Sequence, residues 1–287
     1  MHYNPTLKDM KTKRLFGIFL LLLCTINFAG CSDDDQSPIT LAYENPHIIF
    51  NNEGRSITLT PFSGETTALY IKGGDGNYTV TNSNKEAIQA NFDGEKITFK
   101  PVGLGIASIK IEDKSNNVYI LTITVKYREE NNAVHQRIYI IQGNNLTVGD
   151  KSKLEKEMEQ SDTEKGYIFT YKEPAEAGGT IQIYDQNDQQ KETDFEKEHI
   201  ILDEESAITL AGNTKLRDYW RVTVKDDNSV FYITRNFFPL IGQRSVRANY
   251  TPAPTYCYIK DVTEKYITQY PALEHAYIIQ EVVGKRQ

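Results

Sequence analysis

Few residues in this chain are of types and spacings that do chemistry. Its five histidines stand singly, so no two share a metal-ligand spacing. His199 follows Glu196 and Glu198 and reads as a solvated or capped histidine on a strand edge. The nucleophile-elbow, zincin, P-loop and dinucleotide-binding motifs are all missing. Asp185-Gln186-Asn187-Asp188 with Glu196 at the twelfth position resembles a calcium loop. Gln190 stands where that loop needs glycine and Lys191 adds positive charge, so a polar hairpin loop is the better reading. The glycines of Gly73–Asn77 are read as tight-turn residues rather than as a metal loop. With 39 Asp and Glu, no carboxylate pair can be singled out for glycoside hydrolysis. No catalytic residue, metal or cofactor is assigned, and a non-enzymatic protein is expected. Tyr219, Trp220 and Tyr256 are the candidate ligand-binding residues. Such rings can stack on the apolar faces of sugars or anchor protein partners. Tyr219 and Trp220 alternate along one strand, so they point to opposite faces.

The thiol of Cys31 is the one group placed for covalent modification. A basic segment (Lys8, Lys11, Lys13, Arg14) leads into an apolar run from Leu15 to Phe28, then Ala29-Gly30-Cys31 and Ser32-Asp33-Asp34-Asp35. Basic, apolar and small-residue segments in that order make a secretory signal. The apolar run is shorter than the ~20 residues a membrane-crossing helix needs. The cut-site cysteine resembles the lipobox of bacterial lipoproteins, and the acidic run after it resembles the export signal of Bacteroidetes surface lipoproteins. Phe28 departs from the Leu that is usual there. The resemblance implies a signal peptide over 1–30, diacylglycerol and palmitate on Cys31, and a lipid anchor in the outer membrane facing the exterior. Two or three acyl chains hold far more firmly than one, at ~0.8 kcal/mol per buried CH₂.

The net charge is −7, and loss of Lys8, Lys11, Lys13 and Arg14 with the signal makes the chain more acidic still. Such a surface repels phosphate backbones, so nucleic acid is not an expected partner. Cys24 leaves with the signal and Cys31 carries lipid, so Cys257 has no intramolecular partner and reads as a small buried apolar residue. Tyrosine, at 18 residues, and the β-branched residues favour strands.

The elements that must position these residues are therefore mainly strands. Residues 31–45 read as an acidic tether. Residues 46–127 hold short alternating segments separated by turn clusters, from His47–Phe50 to Tyr119–Lys126. There Gly105-Ile106-Ala107-Ser108-Ile109-Lys110-Ile111 is similar to the penultimate strand of bacterial immunoglobulin-like domains, and Tyr119–Val125 to their closing strand. That implies a β-sandwich used as spacer, stalk or adhesive unit. Residues 128–134 read as a polar hinge. Residues 135–287 read as a β-rich (α+β) domain of no recognised family. In it a short helix is N-capped by Asp150, a second follows Asp261, a hairpin turns at Asp226–Ser229, and Ala276–Val283 closes as a strand. Tyr-Ile-Ile-Gln occurs near both its start and its end, too short a match to count as a repeat. The expected function is a surface spacer presenting a binding domain for extracellular glycan. The alternative is an adhesin or structural surface protein that binds other proteins. A hydrolase ranks behind both and would need convergent carboxylates or a metal cluster in a pocket.

Overall fold

The computed structural model describes residues 37–43, 55–64, 68–210, 215–235 and 255–284. The signal segment, Cys31 and the expected strand at His47–Phe50 lie outside the described residues.

The architecture is mainly β, as expected. The first body has strands β1 (Thr40–Tyr43), β2 (Ser56–Leu59), β3 (Leu69–Lys72), β4 (Tyr78–Asn82), β5 (Ile88–Phe92), β6 (Lys96–Pro101), β7 (Gly105–Asp113) and β8 (Val118–Val125). They form two four-stranded sheets, β1-β3-β6-β5 and β2-β8-β7-β4. Every pairing is antiparallel except β2 with β8. Alternate residues such as Ala107, Ile109, Ile111, Leu121, Ile123 and Val125 turn inward onto Leu69, Ile88, Ile97 and Phe99 of the other sheet. Each fully buried aliphatic side chain contributes ~1.5–3 kcal/mol. Residues 40–43, expected within the tether, instead form β1, because Ile39 and Leu41 alternate with polar neighbours and bury in this core. The Gly73–Asn77 turn is structural. A Cβ on Gly74 would lie 2.6 Å from Asp113 Oδ2. The Asp113 carboxylate accepts the backbone N–H of Asp75 and of Asn117 and so ties two loops together.

The second body comprises β9 (Arg128–Gln142), helix α1 (Val148–Ser161), β10 (Glu164–Tyr171), β11 (Gly178–Asp185), β12 (Gln190–Ile201), β13 (Ile208–Thr209), β14 (Lys215–Leu216), β15 (Asp218–Val224), β16 (Val230–Thr234), β17 (Thr255–Asp261), helix α2 (Thr263–Tyr266) and β18 (His275–Gly284). Its eight long strands form a closed antiparallel barrel in the order β9-β10-β11-β12-β15-β16-β17-β18, with β18 returning to β9. Eight strands leave an interior just wide enough for side chains to fill. Here Tyr167, Phe169, Phe195, Phe231 and Tyr258 fill its waist. The β13–β14 ladder packs Leu210 and Leu216 on the outer face, against Ile140, Cys257, Ile259 and Tyr277.

Residues 128–134 are not a hinge. They are the first half of β9, paired to β10 on one side, while residues 132–134 also pair with β18 on the other. Their polarity has another cause: Glu130 and Asn132 hydrogen-bond inside the barrel. Thr147, not Asp150, is the N-cap of α1. Asp150 is its reciprocal partner three residues on, donating its N–H to Thr147 Oγ1 at 3.0 Å. Leu154 and Met158 of α1 pack on Tyr139, Ile141, Ala276 and Ile278 and close part of one barrel end.

Candidate functional site

The barrel has two polar ends on either side of its aromatic waist. At the end where α1 packs, Asp162 is carried by the α1–β10 junction, Glu164 by β10, Arg137 by β9, Lys260 by β17 and Gln280 by β18. The Asp162 side chain is 1% exposed. It accepts Arg137 Nε at 2.7 Å and Gln280 Nε2 at 2.7 Å. Lys260 Nζ donates to Glu164 at 2.6 Å and lies 3.4 Å from Asp162. The two carboxyl groups also share a hydrogen bond. Burial, reinforced by that bond, pushes Asp162 up to about 6 against the pull of Lys260 and Arg137. Burial opposes ionisation of Glu164 too, but the Asp162 hydrogen bond and the Lys260 ammonium outweigh it and hold Glu164 down to about 2. As pH falls, the pair therefore takes its first proton on Asp162, near pH 6, while Glu164 stays charged.

Beside this cluster lies a cavity of about 550 Å³, lined by Glu164, Tyr167, Ile183, Val224, Phe231 and Lys260 among others. A split carboxyl pair beside a cavity is the pattern of an acid–base site. The geometry argues otherwise here. Asp162 is sealed from solvent and its oxygens are taken by Arg137 and Gln280. The carboxyl groups touch, whereas glycosidase pairs stand ~5–9.5 Å apart.

The opposite end brings together two of the three aromatic residues singled out in the sequence. Trp220 on β15 and Tyr256 on β17 are half-buried on the inner side of the barrel rim. Arg235, just past β16, lies between them, 5.5 Å from the Trp220 ring and 5.4 Å from the Tyr256 ring. Tyr219 is not with them. It is 5% exposed, on the outer face, packed edge-on against Tyr232 in the outer apolar cluster. His199 stacks on Trp220 at 5.0 Å and pairs with Asp218 at 2.7 Å. A hollow of about 400 Å³ opens at this rim, lined by His199, Arg217, Asp218, Trp220, Thr234 and Arg235.

Residues that the sequence did not single out complete this end. Lys197 of β12 projects inward, 4.8 Å from the Tyr171 ring and 5.4 Å from the Trp220 ring. Its side chain is 12% exposed, and its nearest carboxylate oxygen, on Glu176, is 3.4 Å away. Burial lowers its pKa, and the positive charges of Arg128 and Arg235 lower it further against the opposing pull of Glu130. Arg128 pairs with Glu176 and with Glu130. Deeper in, Asn132 donates from Nδ2 to Glu130 and to the Tyr258 hydroxyl, both at 2.8 Å. Its buried Oδ1 has no partner among the described residues. The signal that could have found Lys197 is its place in Thr193-x-Phe195-x-Lys197, an alternation whose other members face the core.

Asp185–Gln189 is a tight hairpin turn: Asp185 Oδ1 accepts the N–H of Asn187 at 2.8 Å and of Gln189 at 3.0 Å. Glu196 is spent elsewhere, on Lys225. No group of three or more His, Cys, Asp or Glu gathers as a metal site among the described residues. Cys257 is buried and unpaired, its thiol pushed up to about 12 by burial and then by Glu281. No helix among the described residues is long and apolar enough to cross a membrane.

No family model matches this chain, and no curated protein does. Among solved structures, domains 5–6 of the S-layer protein SbsC match at 11% identity and a TM-score of 0.23, covering 64% of this chain and 89% of that one. So low a score carries no statement about fold or function.

Proposed function

We propose that this chain is a lipid-anchored cell-surface protein whose sandwich is a spacer and whose barrel is a non-catalytic binding module for extracellular glycan. The anchor is Cys31, acylated after removal of residues 1–30, in an outer membrane and facing outward. The binding end is the rim where Trp220 and Tyr256 meet. The observation that carries this reading is that those two rings, distant in sequence and both half-buried, flank the exposed Arg235 at one rim. Apolar ring surface beside hydrogen-bonding and charged groups suits a sugar, which has both kinds of surface.

Affinity electrophoresis of the full chain against a panel of polysaccharides tests the binding. Retardation by at least one glycan, lost in Trp220→Ala and kept in Lys153→Ala on the far helix, is expected. Passage past every polysaccharide unretarded refutes it. Intact mass of the native product tests the anchor, which requires a chain beginning at an acylated Cys31.

The adhesin reading is favoured by a different observation. Leu104, Ile106, Val118 and Ile120 are exposed around the β7–β8 hairpin of the sandwich, Ile106 at 62%. They form two apolar pairs, Leu104 with Ile106 at the open end of the hairpin and Val118 with Ile120 near its turn, and exposed apolar surface of this kind suits protein contact.

A further inference from the structure

We infer that the ligand of the Trp220–Tyr256 rim is an acidic glycan, a sugar whose carboxylate or sulfate group is held by Arg235 and Lys197. This rests on the glycan reading of the preceding subsection and specifies its ligand class.

Three cations, Arg128, Lys197 and Arg235, crowd this end of the barrel, near enough that Arg128 and Arg235 both act on the charge of Lys197. Of the carboxylates at this end, Glu130 and Glu176 both engage Arg128, and Asp218 is paired with His199. Lys197 is left with a single carboxylate contact at 3.4 Å, longer than the ~2.7–2.9 Å of a well-made charged hydrogen bond. Arg235 has no carboxylate partner among the described residues and lies against the faces of Trp220 and Tyr256. Two cations at this end, Lys197 and Arg235, thus lack a close carboxylate partner among the described residues, in a chain whose net charge is −7.

A cation held against ring faces and only partly desolvated keeps most of its pull on an anion. An anionic group between Arg235 and Lys197 would relieve the mutual repulsion of the three cations. The exposed parts of Trp220 and Tyr256 would then meet the C–H face of the same sugar. A neutral sugar uses the rings and leaves both cations without a close counter-charge.

The experiment is affinity electrophoresis of the full chain in gels holding polygalacturonate, dextran sulfate or unmodified dextran. Retardation by one or both acidic polymers and at least tenfold weaker retardation by dextran is the expected result. Polygalacturonate against dextran sulfate separates carboxylate from sulfate. Arg235→Gln, on the exposed rim, should lose most of the retardation with an unchanged melting temperature. Lys197→Met is the second variant and should lose the retardation as well, without loss of stability. Equal retardation by dextran, or an acidic-polymer shift that survives both substitutions, overturns the acidic assignment and leaves glycan binding intact. No retardation in these gels or by any other polysaccharide defeats the glycan reading itself.

Discussion

The two ends of the barrel are built from the same kinds of side chain and reach opposite electrostatic outcomes. At the α1 end two acids, Asp162 and Glu164, meet two bases, Arg137 and Lys260, and the amide of Gln280 takes up a remaining carboxylate lone pair. At the rim end Arg128 takes Glu130 and Glu176, Asp218 pairs with His199, the ion pair of Lys197 is long, and Arg235 has no carboxylate partner among the described residues. A buried charge cluster that satisfies itself offers a ligand nothing; its worth is in holding strands together. A cluster in which two cations lack a close carboxylate, at a rim with aromatic walls, is costly to the fold and open to a partner. Closeness of pairing, more than residue type, separates structural ions from binding ions here.

Breaking the closed cluster should produce the largest effect. Asp162→Ala strands Arg137 and weakens the hold on Lys260 inside the barrel. Loss of one partner from a buried pair costs ~3–5 kcal/mol. Urea unfolding of the variant should show a midpoint far below that of the parent chain, whereas Glu176→Ala at the rim should move it little. Similar losses in the two variants would remove the distinction between the ends.

The next effect separates the two neighbouring aromatics. Tyr219 is packed on the outer face between Tyr232 and the β13–β14 ladder. Truncating a buried large aromatic costs ~3–5 kcal/mol, and Tyr219→Ala should fall at the low end because the face is a surface layer. Trp220→Ala should cost clearly less stability and abolish retardation by glycan. Loss of binding in a folded Tyr219→Ala variant with Trp220→Ala unaffected would place the site on the wrong face of the sheet.

A smaller effect follows from the shared proton of the closed end. Asp162 titrates near 6 in the fold and near its ordinary value of 3.8 when unfolded. Between those pH values the native chain binds the extra proton, so this group's contribution falls as pH rises from about 4 to above 6. Glu164 is depressed to about 2, so its contribution is full above 4.5 and is lost only as pH falls toward 2. Melting temperature against pH should thus show a decline from 4 to 7 that Asp162→Asn flattens, since the amide keeps hydrogen-bonding capacity without ionising. An identical pH profile for the variant would mean that the proton does not sit there.

From β2 onward the sandwich strands were legible, because period-two alternation and glycine-rich turns are local signals, whereas β1 was read as tether. Tyr78–Asn82 and Ile88–Phe92 emerge with the expected bounds. Closure of the barrel was not legible, since it depends on which distant strands pair. The trace of it in the sequence is the duplicated Tyr-Ile-Ile-Gln. Those two segments lie side by side at the seam, with Tyr277 opposite Ile140 and Ile278 opposite Tyr139. The hinge reading of 128–134 failed for a related reason. Polarity in a strand suggests solvent, but in a barrel whose lumen holds ions it also marks an inward-facing residue such as Asn132. At the site, alternation correctly put Tyr219 and Trp220 on opposite faces, while the cations that accompany Trp220 come from strands far away in the chain.

The finest test of the contrast between the ends is Lys197→Met. The lysine is mostly buried, its partner carboxylate is long, and burial together with two neighbouring cations weakens its hold on its proton. Methionine keeps nearly the same volume between Tyr171 and Trp220 and gains sulfur–aromatic contact. Glu176 stays paired with Arg128. Replacing a poorly compensated buried charge by an apolar side chain is commonly neutral or stabilising. The melting temperature in low salt should therefore hold or rise by a few degrees, with the gain shrinking as salt screens Arg128 and Arg235. An acidic polymer should stabilise the parent chain and not the variant, because linkage acts only where the ligand binds the fold. A marked loss of stability on removing this lysine would show that the rim ions hold the barrel together as the opposite cluster does.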